Sequence, residues 1–123
     1  MRMGRLKAAT VVCTAVCGLA AFASAALAAS LTVTSPVHRG HRTIIRGNAA
    51  PCAVGATVII ISHAFAHTHD FAGLPAVFAR VRSGGKFGIR PRIPSTRAVG
   101  NYGVTARCGG GNLGVSATIH VVA

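Results

Sequence analysis

Apolar residues in this chain follow two rhythms, and the change between them falls near residue 28. Residues 8–28 run on without a charge, whereas from Leu31 onward apolar positions come in short bursts between Gly, Pro, Asn and Ser. A period of two puts alternate side chains on opposite faces of a strand, and recurrent short bursts between turn residues predict an all-β sandwich. Residues 31–34 alternate and stop near Ser35-Pro36. Residues 42–46 make a second strand, ended by Gly47-Asn48 and Pro51. Within 57–62, Val58, Ile59, Ile60 and Ile61 form an unbroken run suited to a central strand buried on both faces. Residues 76–82 and 86–93 flank Ser83-Gly84-Gly85 and predict a hairpin, with Val77, Ala79, Val81, Phe87 and Ile89 on its apolar face. Tyr102, Val104, Ala106 and Cys108 share one face of the next strand. After residues 109–112, the last strand turns Val115, Ala117, Ile119 and Val121 inward. The count is seven strands with no domain boundary between them.

The charge-free run at the start has a different meaning. Arg2, Arg5 and Lys7 precede it, and Ala26-Leu27-Ala28 ends it in the small-x-small pattern that signal peptidase cuts. Residues 1–28 therefore read as a helical signal peptide and 29–123 as the exported domain. An uncleaved anchor is the rival reading, since a membrane helix needs roughly 20 apolar residues. The predominance of alanine and the cleavage site favour removal. Neither Thr14-Ala15-Val16-Cys17 nor the residues before Cys13 form a Leu-Ala-Gly-Cys type of lipobox. The expected location is secreted or extracellular, including association with the cell wall, with no transmembrane segment after cleavage.

Cleavage discards Cys13 and Cys17 and leaves Cys52 and Cys108. An even pair in an oxidising compartment predicts a disulfide, which by chain entropy contributes roughly 4 kcal/mol for a loop of this length. With the strands lettered A to G in a Greek key, Cys52 falls in the B–C connection and Cys108 at the start of the F–G loop. Those loops lie at the same end of an immunoglobulin-like sandwich.

Two stretches carry a resemblance: Gly47-Asn48-Ala49-Ala50-Pro51-Cys52-Ala53-Val54-Gly55-Ala56-Thr57-Val58, and Tyr102-Gly103-Val104-Thr105-Ala106-Arg107-Cys108-Gly109-Gly110. They resemble the B–C passage and the F strand of small secreted bacterial immunoglobulin-like domains, found as short exported proteins and wall-associated modules. The neocarzinostatin-type apoproteins are more distantly similar in secretion, size and architecture, but carry two disulfides. The resemblance implies a seven-strand immunoglobulin-like Greek-key β-sandwich and a non-catalytic role, and carries over no binding residue.

Charge then narrows the class of partner. The whole chain has 13 Lys and Arg against a single acid, Asp70, and a formal net charge of +12. Without Arg2, Arg5 and Lys7, ten bases remain, nine of them arginine. That imbalance favours polyanions such as an anionic cell-wall polymer, nucleic acid, anionic lipid or acidic polysaccharide, although a compositional drift toward arginine explains it too. The outward face of the expected hairpin, with Arg80, Arg82, Lys86, Arg90 and Arg92, is the candidate anion-binding strip, since guanidinium forks grip phosphate and carboxylate bidentately. No nucleic-acid motif accompanies it. His63, His67, His69 and Asp70 are the candidate Zn²⁺ or Cu²⁺ ligands by residue type and parity, with exposed loop histidines as the plain alternative. Cys108-Gly109-Gly110-Gly111-Asn112 lacks the helix and Lys-Ser/Thr of a phosphate loop.

Catalysis has little to stand on. One carboxylate rules out paired-carboxylate glycoside chemistry, and no Gly-x-Ser-x-Gly elbow presents a serine. The expectation is a non-enzymatic binding module without a cofactor, with metal binding or small-ligand carriage as alternatives. The intact mass of the exported protein tests processing and oxidation together. It should equal that of residues 29–123 less two hydrogens.

Overall fold

The computed structural model describes residues 28–123, so the expected leader lies outside the described residues except for Ala28. The described chain is all-β and forms two sheets. Its strands are β1 (Ser30–Val33), β2 (Val37–His38), β3 (Ile45–Asn48), β4 (Thr57–Ile61), β5 (Asp70–Phe71), β6 (Leu74–Arg80), β7 (Lys86–Ile89), β8 (Gly100–Cys108) and β9 (Gly111–Val122). A three-stranded sheet has the order β1-β3-β7, and a six-stranded sheet the order β2-β9-β8-β4-β6-β5. Among the described residues no helix is long and apolar enough to cross a membrane.

One core joins the sheets. Leu31, Ile45 and Phe87 from the small sheet are buried with Val58, Ile60, Val104, Ala106, Ile119 and Val121 from the large one. Each of these side chains apart from Ala106 contributes about 1.5–3 kcal/mol on burial. β4 is interior to its sheet, between β8 and β6, as its apolar run predicts. Its two faces differ, however: Val58 and Ile60 are fully buried, while Ile59 and Ile61 are half-buried on the outer face.

The described residues form nine strands where the pattern predicts seven, and the differences are local. After Pro36 the chain leaves β1's sheet, and β2 runs parallel to β9 (Val37 opposite Val121), a short strand beyond the end of the first expected one. The expected 42–46 strand begins only at Ile45, with Arg42 forming an isolated bridge to Arg92. The expected 86–93 strand ends at Ile89, just before Pro91, whose nitrogen has no hydrogen to donate to a ladder.

The expected hairpin is the main correction. β6 pairs with β4 (Val58 opposite Ala79, Ile60 opposite Val77), whereas β7 pairs with β3 (Gly47 opposite Phe87). Ser83–Gly85 is a single 3-10 turn that carries the chain from one sheet to the other, with Gly84 and Gly85 at φ of 80° and 81°. Asn48 holds the turn against β3: its Nδ2 donates to Gly84 O at 3.0 Å, while Ala49 N donates to Gly85 O at 2.8 Å. Alternation assigns the faces of both strands correctly, but it carries no information about partners. Those are set by the apolar face of β4 and by the space that Gly47 leaves for Phe87.

The Cys52–Cys108 disulfide is present, with a Cα–Cα distance of 6.4 Å. It joins the β3–β4 connection to the end of β8, where Val58 already pairs with Cys108. A two-residue turn, Gly109 and Gly110, both at positive φ, then leads into β9, as a tight hairpin with a primed turn requires.

Gly47 offers a direct test of how the sheets close. A Cβ there would overlap the Ser30 carbonyl oxygen and lie 2.6 Å from Cζ of Phe87. Gly47→Ala should cost about 2 kcal/mol or more by overpacking. Gly103→Ala, where a Cβ meets nothing within 4 Å, should be neutral within about 0.5 kcal/mol. Urea unfolding of both variants checks this.

Candidate functional site

The sheet switch redistributes the five cations expected to form one strip. Arg82 and Lys86 lie on either side of the Ser83–Gly85 turn. Together with Arg46 they line a concavity of about 370 Å³ on the outer side of the small sheet, whose wall also includes Ser30, Thr32, Asn48 and Phe87. Arg80 stays with the large sheet at the end of β6, where its Nη1 donates to Gly55 O at 2.9 Å. Arg90 follows β7, and its carbonyl accepts from Nη1 of Arg42 at 2.8 Å. Arg92 donates to Gly40 O and borders an apolar cleft of about 310 Å³ formed with Phe65, Val77, Pro91 and Pro94. Only Arg82 and Lys86 of the five share a site.

Strand register builds that site. Arg46 stands opposite Gly88, and Asn48 opposite Lys86. Because Gly88 has no side chain, the outer face is open at that point. A Cβ on Gly88 would lie 3.6 Å from Arg46 Cγ and 3.7 Å from Arg82 Nη2. Both arginines therefore lean over the same glycine. The polar neighbours differ in what they have left to offer. Thr32 Oγ1 donates to Arg46 O at 3.3 Å, and both ends of the Asn48 amide are engaged, with Gly84 O and Ala50 N. Ser30 Oγ accepts from Asn48 N at 3.1 Å, which leaves its hydroxyl hydrogen free to donate.

Arg46 is the member that sequence reasoning missed. Its outward orientation is legible from the alternation of Ile45 and Arg46, but its company is not. Arg46 and Arg82 lie 36 positions apart, and only the β3–β7 register brings them together.

The histidine segment occupies the β4–β5 connection and the start of β5. His67 Nδ1 and Asp70 Oδ1 pair at 2.9 Å, both well exposed. His69 instead stacks on Phe78, with ring centroids 5.0 Å apart. His63 is exposed. Among the described residues no group of three or more His, Cys, Asp or Glu side chains is placed to hold a metal ion. The parity that would align the three imidazoles belongs to an extended strand, and this segment turns. Its backbone is held from behind by Arg97, whose Nε and Nη2 donate to the carbonyls of Ala64 and Phe65 at 3.3 and 2.9 Å.

The outer face of the large sheet carries a second grouping, in which the Arg107 guanidinium lies 5.2 Å from the centroid of the Phe71 ring. Phe78, 41% exposed, stands opposite Ile59 on the same sheet. The glycine run after Cys108 is spent on the β8–β9 turn. The chain's one carboxylate side chain, Asp70, is the surface partner of His67.

No protein-family model and no curated protein matches the chain.

Separation of the histidines has a measurable consequence. Titration with Zn²⁺ or Cu²⁺ should show no binding to the protein tighter than to the His63→Ala/His67→Ala/His69→Ala variant, because two exposed groups hold a metal poorly. A difference of tenfold or more in favour of the unaltered protein would count against this geometry (about 1.4 kcal/mol of binding free energy).

Proposed function

We propose that this protein is an exported, non-enzymatic immunoglobulin-like domain that binds anionic polymer at the cell surface or in the cell wall. The observation that carries the reading is the absence of counter-charge. Ten Lys and Arg side chains follow residue 28, the only acid is Asp70, and Asp70 is already paired with His67. A surface that cannot neutralise itself attracts polyanions.

Three features support the immunoglobulin-like Greek-key part. β1 pairs with β3 in one sheet while β2 pairs with β9 in the other, so the opening segment serves both. The Tyr102 hydroxyl, near the start of β8, donates to Ala98 O at 2.6 Å. That bond has the form of the corner that ties a tyrosine to upstream backbone in such domains. The disulfide joins the β3–β4 connection to the end of β8 and is compatible with an oxidising, extracellular compartment. The resemblance to small secreted bacterial domains of this kind agrees with all three.

The apolar cleft beside Arg92 favours a second reading, carriage of a small molecule with an apolar body and one acidic group. Mass spectrometry of protein taken from culture medium would show such a molecule co-eluting. Under the leading reading, binding to a polyanion such as long-chain polyphosphate should weaken about tenfold or more between ~50 and ~200 mM salt, because exposed charges are screened and counterions released. Salt-insensitive binding, or none at low salt, would overturn it.

A further inference from the structure

We infer that the concavity under Arg46, Arg82 and Lys86 is a phosphate-binding site, the point at which a phosphoryl group of an anionic chain is gripped. This rests on the polyanion reading and specifies where and how it acts.

Most arginines of the described domain have a use for their guanidinium groups within it. Arg42, Arg80, Arg92, Arg97 and Arg107 donate to backbone carbonyls. The heads of Arg46, Arg82 and Lys86 make no hydrogen bond to another group among the described residues, and these three residues line the same concavity. Like charges repel, and long side chains on an open surface can move apart at little cost. These two arginines instead lean over Gly88, the one residue of β7 without a side chain to exclude them. The concavity contains no carboxylate to balance them. An anion seated there converts a repulsive cluster into a set of charge-assisted hydrogen bonds.

The donor set indicates which anion. Two planar guanidinium forks, an ammonium group and the free hydroxyl hydrogen of Ser30 belong to residues that line one space. A carboxylate has two oxygens in one plane and leaves part of this set unused. A phosphoryl group offers acceptors in several directions and can meet forks from two sides, with the lysine as a point charge. The site is open to water, so one phosphate binds it weakly. A chain carrying many phosphates gains from rebinding at high effective concentration.

The test uses long-chain polyphosphate as the probe, with binding measured by calorimetry at low salt. Arg46→Gln/Arg82→Gln is compared with Arg39→Gln/Arg90→Gln, which removes the same charge from side chains that likewise make no hydrogen bond among the described residues. Gly88→Val removes no charge but fills the space over the strand, and a β-branched residue suits that position. The expected result is a Kd raised about tenfold or more in Arg46→Gln/Arg82→Gln and in Gly88→Val, against less than about threefold in Arg39→Gln/Arg90→Gln. Inorganic phosphate should also displace the polymer better than chloride at matched ionic strength. Equal losses in the two double variants, or phosphate no better than chloride, would overturn the site while leaving a diffuse polyanion surface intact. So would a folded Gly88→Val that binds normally. If Gly88→Val does not fold, the two double variants decide. Absence of polyphosphate binding by the unaltered protein would overturn the broader reading together with the site.

Discussion

Everything distinctive about the basic surface depends on one contact, the Phe87 ring lying over Gly47. Phe87 is buried, and two of its ring atoms occupy the space a side chain at residue 47 would need. That contact sets Gly47 opposite Phe87 and so fixes the register of β3 on β7. The rest follows from a period of two. If Gly47 and Phe87 face the core, Arg46, Gly88, Asn48 and Lys86 face solvent, with Arg46 against the vacant surface of Gly88. A slip of one residue would turn these cations into the core and the aromatic ring outward. The hydrophobic effect thereby positions charges that contribute nothing to it.

The same contact explains why a continuous basic stretch does not make a continuous basic face. Arg80, Arg82, Lys86, Arg90 and Arg92 are neighbours in the chain, but Ser83–Gly85 moves the backbone between sheets among them. Arg80 remains on one sheet, while Arg82 and Lys86 meet Arg46 on the other. Charge that looks like a strip in sequence becomes a concentrated group plus scattered single residues. The concentrated group draws on three elements: β3, β7 and the approach to the turn.

What was legible beforehand divides along the same line. The inward positions of Ala79, Val104, Ala106, Ile119 and Val121 follow from alternation, a property of each strand alone, and the structure buries them; which face of β4 turns inward does not, because its run of apolar residues has no alternation to read. The Cys52–Cys108 bridge was legible from redox logic and from loops meeting at one end. Partner choice was not, because alternation is blind to it. The 76–82 segment looks like half of a hairpin with 86–93 only until β4 is considered as a competitor. The place of β2 was also hidden, since two residues leave no periodic trace. For the candidate site, Arg82 and Lys86 were found by charge, and Arg46 only by register. The histidines illustrate the converse: their spacing suggested an alignment that a turning backbone does not keep.

The β8–β9 hairpin has one more consequence, for the order of assembly. It is the longest ladder among the described residues and is joined by two glycines, so it can form early at small entropic cost. Cys108 sits at its tip, while Cys52 arrives from 56 residues earlier in the chain. Their native geometry exists only once β4 has docked along β8, with Val58 beside Cys108. The bridge and the β4–β8 ladder therefore fasten the same long-range junction, one covalently and one by hydrogen bonds.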